Sequence, residues 1–284
     1  MKPKDVLLLF SLAALWGASF LFMRLGAPAL GPFVLIFLRV SIASGALLLY
    51  VWIRRRRLDV LKKWKPYLLL GLLNAAVPFT LISAAELRLP ASVAAILNAT
   101  TPLFAALSAR VWTGERLTWK KISGLVLGLA GVAVLVGWAP HSGEHSILVP
   151  ALFSLLAAVS YAVAGMYASS AFKGAGLMDM AVGQQLGASA VMLPFAVATV
   201  PTVFPSSTVV LAVLSLAVLC TAVAYLLYFS LIRSVGPVKT LSVTFLVPVF
   251  GVLWGALFLG EAVSLHIAAG LAVILASVWL VMKK

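Results

Sequence analysis

TPLFAALSARVWTGERLTWKKISGL (Thr101–Leu125) returns 146 positions later, without a gap, as VPVFGVLWGALFLGEAVSLHIAAGL (Val247–Leu271). Pro102 matches Pro248, Phe104 matches Phe250, Gly114 and Glu115 match Gly260 and Glu261, and Gly124 and Leu125 match Gly270 and Leu271. Outward from these passages, each half of the chain holds five apolar segments, so the sequence reads as two copies of one unit, residues 1–140 and 147–284. An odd number of crossings per copy obliges the second copy to enter a membrane facing the opposite way. That is the inverted repeat of secondary transporters, and it predicts alternating access.

Composition leads to the same class. Of 284 residues, 63% are hydrophobic and 10% charged, and the mean hydropathy is +1.15, which excludes an ordinary soluble domain. A helix needs about 20 apolar residues to cross a hydrocarbon core roughly 30 Å thick. Ten such spans are expected at 6–23, 32–53, 67–85, 91–112, 119–138, 147–170, 178–200, 207–232, 238–259 and 263–282, leaving only short loops. The lysines ahead of the first span imitate a signal peptide, but the apolar run continues to Met23 without a clean cleavage site and reads as a retained span.

The formal charge of +14 does not imply a nucleic-acid partner, because the basic residues fall in alternate loops, as orientation during insertion requires. Arg54, Arg55, Arg56, Arg57, Lys62, Lys63 and Lys65 mark one loop as cytoplasmic, and Lys2 and Lys4 put the amino terminus on the same side. Both termini are then expected in the cytoplasm, with the lipid bilayer and a small-molecule substrate as partners. A self-contained pair of repeats suffices as a monomer. The single Cys220 rules out an internal disulfide and reads as packing.

Small residues at spacings of three or four, Gly124, Gly128 and Gly131, then Gly251 and Gly255, read as places where helix backbones approach closely. Pro102 and Pro248, equivalent in the repeat, are candidate bending points, a static kink being the plainer alternative. Glu115 and Glu261 follow paired glycines at span junctions, where each is expected to cap the N-terminus of the next helix.

Polar side chains at membrane depth should face a cavity rather than lipid. Asn74, Asn98, Thr100, Thr101, Gln184, Gln185, Ser242, Thr244, Tyr161, Tyr225 and Tyr228 are the candidates, interhelical hydrogen bonding being the plainer role. Arg39 lies seven positions beyond Pro32, roughly 10 Å along its helix. A charge at that depth must find protein or water. It either holds a substrate carboxylate or phosphate, clamps backbone carbonyls, or snorkels to an interface. No Asp or Glu falls in the middle of a span; Glu86 maps to a helix end, so no buried carboxylate relay is evident. His141, Glu144 and His145 read H-x-x-E-H, but Pro140 and Gly143 interrupt the helix that zinc chemistry would need. No metal and no cofactor are expected.

LAALWGASF (Leu12–Phe20), Arg39 within IFLRV, the stretch from LPASVAAI to TPLF, GERLT (Gly114–Thr118) and the Gly124–Leu125 pair, echoed by VPVFG and GEAVS, resemble the EamA family of the drug/metabolite transporter superfamily. The likeness covers nearly the whole chain. It implies an all-α integral membrane protein of ten transmembrane helices, in two inverted five-helix repeats around a central cavity. It further implies an exporter of small metabolites in a bacterial inner membrane, neutral or aromatic amino acids foremost, and no enzyme. Trp16, Phe79, Tyr161, Tyr225, Tyr228 and Trp254 would form apolar walls, while Asn98, Thr101, Gln184 and Thr244 orient the substrate. The second half departs from the pattern where Ser160 and Tyr161 replace the counterpart of Trp16 and where Gln184 falls close to the counterpart of Arg39. A carrier of sugar phosphates or nucleotide sugars ranks lower for want of buried basic residues. A membrane-embedded metal enzyme built on the histidine loop and a passive channel are the readings from other classes.

Overall fold

The computed structural model describes residues 2–114, 117–137 and 147–282, and no strand occurs among them. Nine apolar helices follow one another: α1 (Pro3–Ile53), α2 (Trp64–Ala85), α3 (Ala91–Thr113), α4 (Trp119–Val136), α5 (Leu148–Ala171), α6 (Leu177–Ala198), α7 (Ser207–Val235), α8 (Val243–Leu259) and α9 (Leu265–Met282). All but α8 are long and apolar enough to span a bilayer. Their outer surface is apolar too: Trp52, Val111 and Leu265 are 75–87% exposed. In lipid such a surface costs nothing, provided the backbone bonds within its own helices, as it does here.

Helix α1 counts 51 residues and contains one non-helical position, Gly31, at φ 70°. It folds back there, because Arg39 Nη1 lies 3.5 Å from Met23 Sδ, whereas sixteen residues of straight helix would separate them by about 24 Å. Only glycine takes this left-handed φ without strain, and Pro32 then starts the second arm. The sequence reading left a loop across 24–31. The helix instead continues through Leu30, and a single residue makes the turn.

The span expected at 91–112 is interrupted at Ala99 and Thr100, giving Ala91–Asn98 and Thr101–Thr113. Pro102 has no N–H to return to the Asn98 carbonyl. The Thr101 hydroxyl donates to that carbonyl at 2.7 Å, and Thr100 donates to the Leu97 carbonyl at 2.6 Å. Pro248 lies inside unbroken α8; on that side the chain breaks earlier, between the single turn Pro237–Thr240 and α8. The two prolines match in sequence but not in local structure.

Two segments widen into π-helix, Leu72–Ala76 in α2 and Ser215–Val223 in α7. Pro78 leaves the first without a regular donor, and Ser160 Oγ donates to the Leu73 carbonyl at 2.7 Å from α5. In the second, Thr221 Oγ1 donates to the carbonyl of Leu216, five residues back, at 2.9 Å.

Helix α1 forms the centre, packed on α6, α7 and α8; α2 lies on α5 and α6, α3 on α5 and α8, and α4 pairs with α9 at the periphery. Small residues permit these approaches. A Cβ added at Gly17 would meet Phe250 at 2.6 Å, one at Gly131 would meet Ile274 at 2.8 Å, and one at Gly187 would meet the backbone of Leu68 at 2.9 Å. Without an apolar driving force between helices in lipid, such close contact supplies the attraction.

Candidate functional site

The two arms of α1 enclose, with α2, α3, α5, α7 and α8, a cavity of about 420 Å³, a size suited to a small metabolite. Of the side chains singled out in the sequence, Trp16, Arg39, Asn74, Phe79, Asn98, Thr101, Tyr161, Tyr225, Tyr228 and Thr244 line it, as do Pro102 and Pro248. Gln184 and Trp254 do not. Gln184 stands behind the wall, accepting from Asn74 Nδ2 at 2.7 Å and donating to the Tyr225 hydroxyl at 2.6 Å, so that α2, α6 and α7 share one amide relay. Trp254 donates its indole N–H to the Ala14 carbonyl at 2.9 Å and pins α8 to α1.

Arg39 is the chemical centre of the cavity. It is 3% exposed, with its guanidinium carbon 3.6 Å from the centroid of Phe79 and Nε donating to Thr221 Oγ1 at 3.1 Å. The π-helical turn of α7 aims Thr221 at this point, since the hydroxyl that returns to Leu216 also accepts from Arg39. Among the described residues, no carboxylate makes a salt bridge to this guanidinium; the one salt bridge there joins Lys62 and Asp59 at a surface loop. Arg39 is thus neither a carbonyl clamp nor snorkelled to an interface: it stands on an aromatic ring, anchored by a hydroxyl. A cation over a desolvated ring gains about 2 kcal/mol, which stabilises the charge while leaving donors for an anion.

Aromatic rings wall the rest. Trp16 and Tyr228 lie 5.5 Å apart, and Phe79 meets Tyr161 edge-on at 6.2 Å. Asn98 Oδ1 is buried and has no partner, which leaves one acceptor for a donor brought by the ligand. The sequence reading missed Met23, Ser19 and Thr221 as lining residues and took Cys220 for packing; Cys220 also borders the cavity. Thr221 was legible only through the five-residue back-bond of a π-turn, which no periodicity reveals.

One end of the cavity is closed. There α3 and α8 meet, Ala95 against Gly251 and Ser92 near Gly255, whereas the stretch Thr101–Thr113 packs on α5 and α9. Away from this junction the cavity is lined by Leu241 and Val243. Gly260, at φ 66°, ends α8 and turns Glu261 back to this junction. Its carboxylate accepts from the backbone N–H groups of Ala91 at 2.7 Å and Ser92 at 2.9 Å. The expected capping of the following helix is thus corrected: Glu261 caps α3, in the other half of the chain, because the left-handed turn directs it there. Glu115 lies outside the described residues. Beside this closure Arg24 donates to the Glu86 carbonyl, and the Glu86 side chain is fully buried. The sequence placed Glu86 correctly at a helix end but gave no sign of its burial.

The His141, Glu144 and His145 motif lies outside the described residues, and those described hold no group of three or more His, Cys, Asp or Glu placed to bind a metal.

The family described as the EamA-like transporter family matches the chain twice, over residues 4–137 and 148–283. "Uncharacterized transporter YvbV" of Bacillus subtilis is 28% identical, covering 100% of this chain and 93% of its own. "Uncharacterized inner membrane transporter YedA" of Escherichia coli K12 is 30% identical over 90% of this chain and 83% of its own. A "Probable terminal-alkyne amino-acid exporter" of Streptantibioticus cattleyicolor is 30% identical over 54% of this chain and 49% of its own. A solved crystal structure at 22% identity shares the fold with a TM-score of 0.68, over 99% of this chain and 96% of the other.

Proposed function

The chain belongs to the EamA-like transporter family of the drug/metabolite transporter superfamily, and on that premise we propose that it exports small carboxylate-bearing metabolites, neutral or aromatic amino acids foremost, by alternating access across a bacterial inner membrane. The observation that carries this reading is Arg39, a lone cation without a carboxylate partner on the wall of an aromatic cavity. A carboxylate would meet the guanidinium, the ammonium group would meet the unpartnered Asn98 Oδ1, and the side chain would lie among Trp16, Tyr161 and Tyr228. The partial likeness to a probable amino-acid exporter is in keeping with this substrate class.

On this reading the two arms of α1 count as separate crossings, ten in all, in two five-helix repeats. The packing supports an inverted relation, because contacts come as exchanged pairs: the first arm of α1 on α8 answers α5 on α3, and the second arm on α7 answers α6 on α2. Basic loops lie at the Leu241 end of the cavity, which favours that end as cytoplasmic; on this reading the conformer faces inward and Glu261 lies in its outer closure. Sugar phosphates fit less well, since Arg39 alone supplies positive charge among the described lining residues.

The test is uptake into liposomes containing the purified protein, across a panel of labelled amino acids, monocarboxylates and a sugar phosphate. Saturable uptake of carboxylates supports the reading; saturable uptake of the phosphate alone overturns it, and non-saturable flux marks a passive channel.

A further inference from the structure

Glu86 follows the last residue of α2 and is 0% exposed, and neither carboxylate oxygen has a hydrogen-bond partner. An ionised carboxylate offers about four acceptor sites, and a charge buried with all of them empty neutralises instead. Glu261, at the same closure, has its charge matched by two backbone N–H groups at a helix N-terminus. Two neighbouring carboxylates do not both ionise readily, and the unmatched one keeps the proton.

The other charged groups near Glu86 are few. Helix α1 brings Arg24 and Arg39, the α8–α9 turn brings Glu261, and exposed Arg88 follows two residues on in the same turn. Helix α5, packed along the same stretch of α2, carries no Asp, Glu, Lys, Arg or His and offers only Tyr161 and Tyr167. Arg24 is spent on the backbone carbonyl of Glu86 rather than its carboxylate. Burial is the main cause of a pKa well above the usual carboxylate range, with Arg24 opposing and Glu261 adding.

We propose that Glu86 is a proton-binding site coupled to the outer closure, protonated while α3 and α8 are sealed and releasing its proton to water when the seal parts. Opening lets water reach the carboxyl and frees Arg24 to turn onto it, so the open conformer binds the proton more weakly. The linkage has one sign: acid favours the sealed conformer, and sealing is lost as pH rises through the sealed-state pKa. Between the two pKa values the ratio of sealed to open changes up to tenfold per pH unit.

This inference rests on the alternating-access reading, and the experiment separates the two. Leu87 and Val263 are exposed on either side of the closure. Spin labels at Leu87→Cys and Val263→Cys, in a Cys220→Ala background, report its width in the reconstituted full-length protein by pulsed dipolar spectroscopy. The short distance should dominate at the acid end of a pH titration and give way to a longer one as pH rises. Glu86→Gln, a mimic of the protonated acid, should hold the short distance at every pH. Should Glu86→Gln not fold, Arg24→Gln gives a second reading, moving the midpoint to higher pH by removing the partner of the ionised form. A distance independent of pH, opening in acid, or a full pH response in Glu86→Gln overturns the proton site. Glu261→Gln at fixed pH is the control: if it lengthens the distance, alternating access stands whatever Glu86 does, and if no condition lengthens it, the alternating-access reading falls as well.

Discussion

Replacing Glu261 by Gln should unlatch the closed end of the cavity, and the structure gives the size of the effect. The carboxylate accepts two backbone bonds, from Ala91 at 2.7 Å and Ser92 at 2.9 Å. Glutamine has the same shape but a single acceptor oxygen, and its amide donor would confront the second N–H. Losing one bond to a charged group costs about 1.5–3 kcal/mol, and losing the charge at a helix N-terminus about 0.3–1 kcal/mol more. The sum, about 2–4 kcal/mol, lowers the sealed-to-open ratio roughly 30- to 700-fold at 1.4 kcal/mol per decade. Ser92 is 1% exposed, so Ser92→Cys in a Cys220→Ala background makes a nearly isosteric reporter. Its labelling by a membrane-impermeant maleimide from the outer side should accelerate by a comparable factor in Glu261→Gln. A rate within twofold of the parent, in protein that remains monodisperse, would refute the latch.

Gly187→Ala should lower thermal stability by about 1–3 kcal/mol, because its methyl group meets backbone atoms of Tyr67 and Leu68 that cannot rotate aside; Gly165→Ala, with nothing within 4 Å, should be neutral, and melting curves in detergent compare the two. Gln184→Leu strands Asn74 and Tyr225 and should cost about 0.6–2 kcal/mol of stability, checked by the same melts, with transport reduced. Arg39→Lys keeps the charge but loses the Thr221 bond and the flat face over Phe79; KM for a carboxylate substrate should rise more than kcat falls, measured by uptake kinetics.

Much of the fold was legible because hydropathy reports directly on where the long apolar helices lie. What the sequence hid was local backbone. Gly31 makes a turn alone where three breakers, Pro28, Gly31 and Pro32, pointed to a loop, and the break at Ala99 depends on threonine hydroxyls satisfying carbonyls that Pro102 abandons. The cavity was legible to the extent that polar side chains in lipid must turn inward, which found Arg39, Asn98 and Tyr225. It misplaced Trp254, whose indole N–H found a carbonyl on α1 instead. Burial of Glu86 depends on how α1, α2 and α5 meet, and a single carboxylate at a helix end carries no such information.

The central claim is that Arg39 holds the substrate's anionic group. The direct measurement is saturable uptake of a labelled carboxylate by liposomes containing wild-type protein or Arg39→Gln, with folding of both verified by monodispersity. Loss of a charge-assisted contact worth about 2–3 kcal/mol predicts kcat/KM lowered roughly 30- to 150-fold in Arg39→Gln. Equal kcat/KM in the two proteins would contradict the account and leave Arg39 a structural residue on the cavity wall.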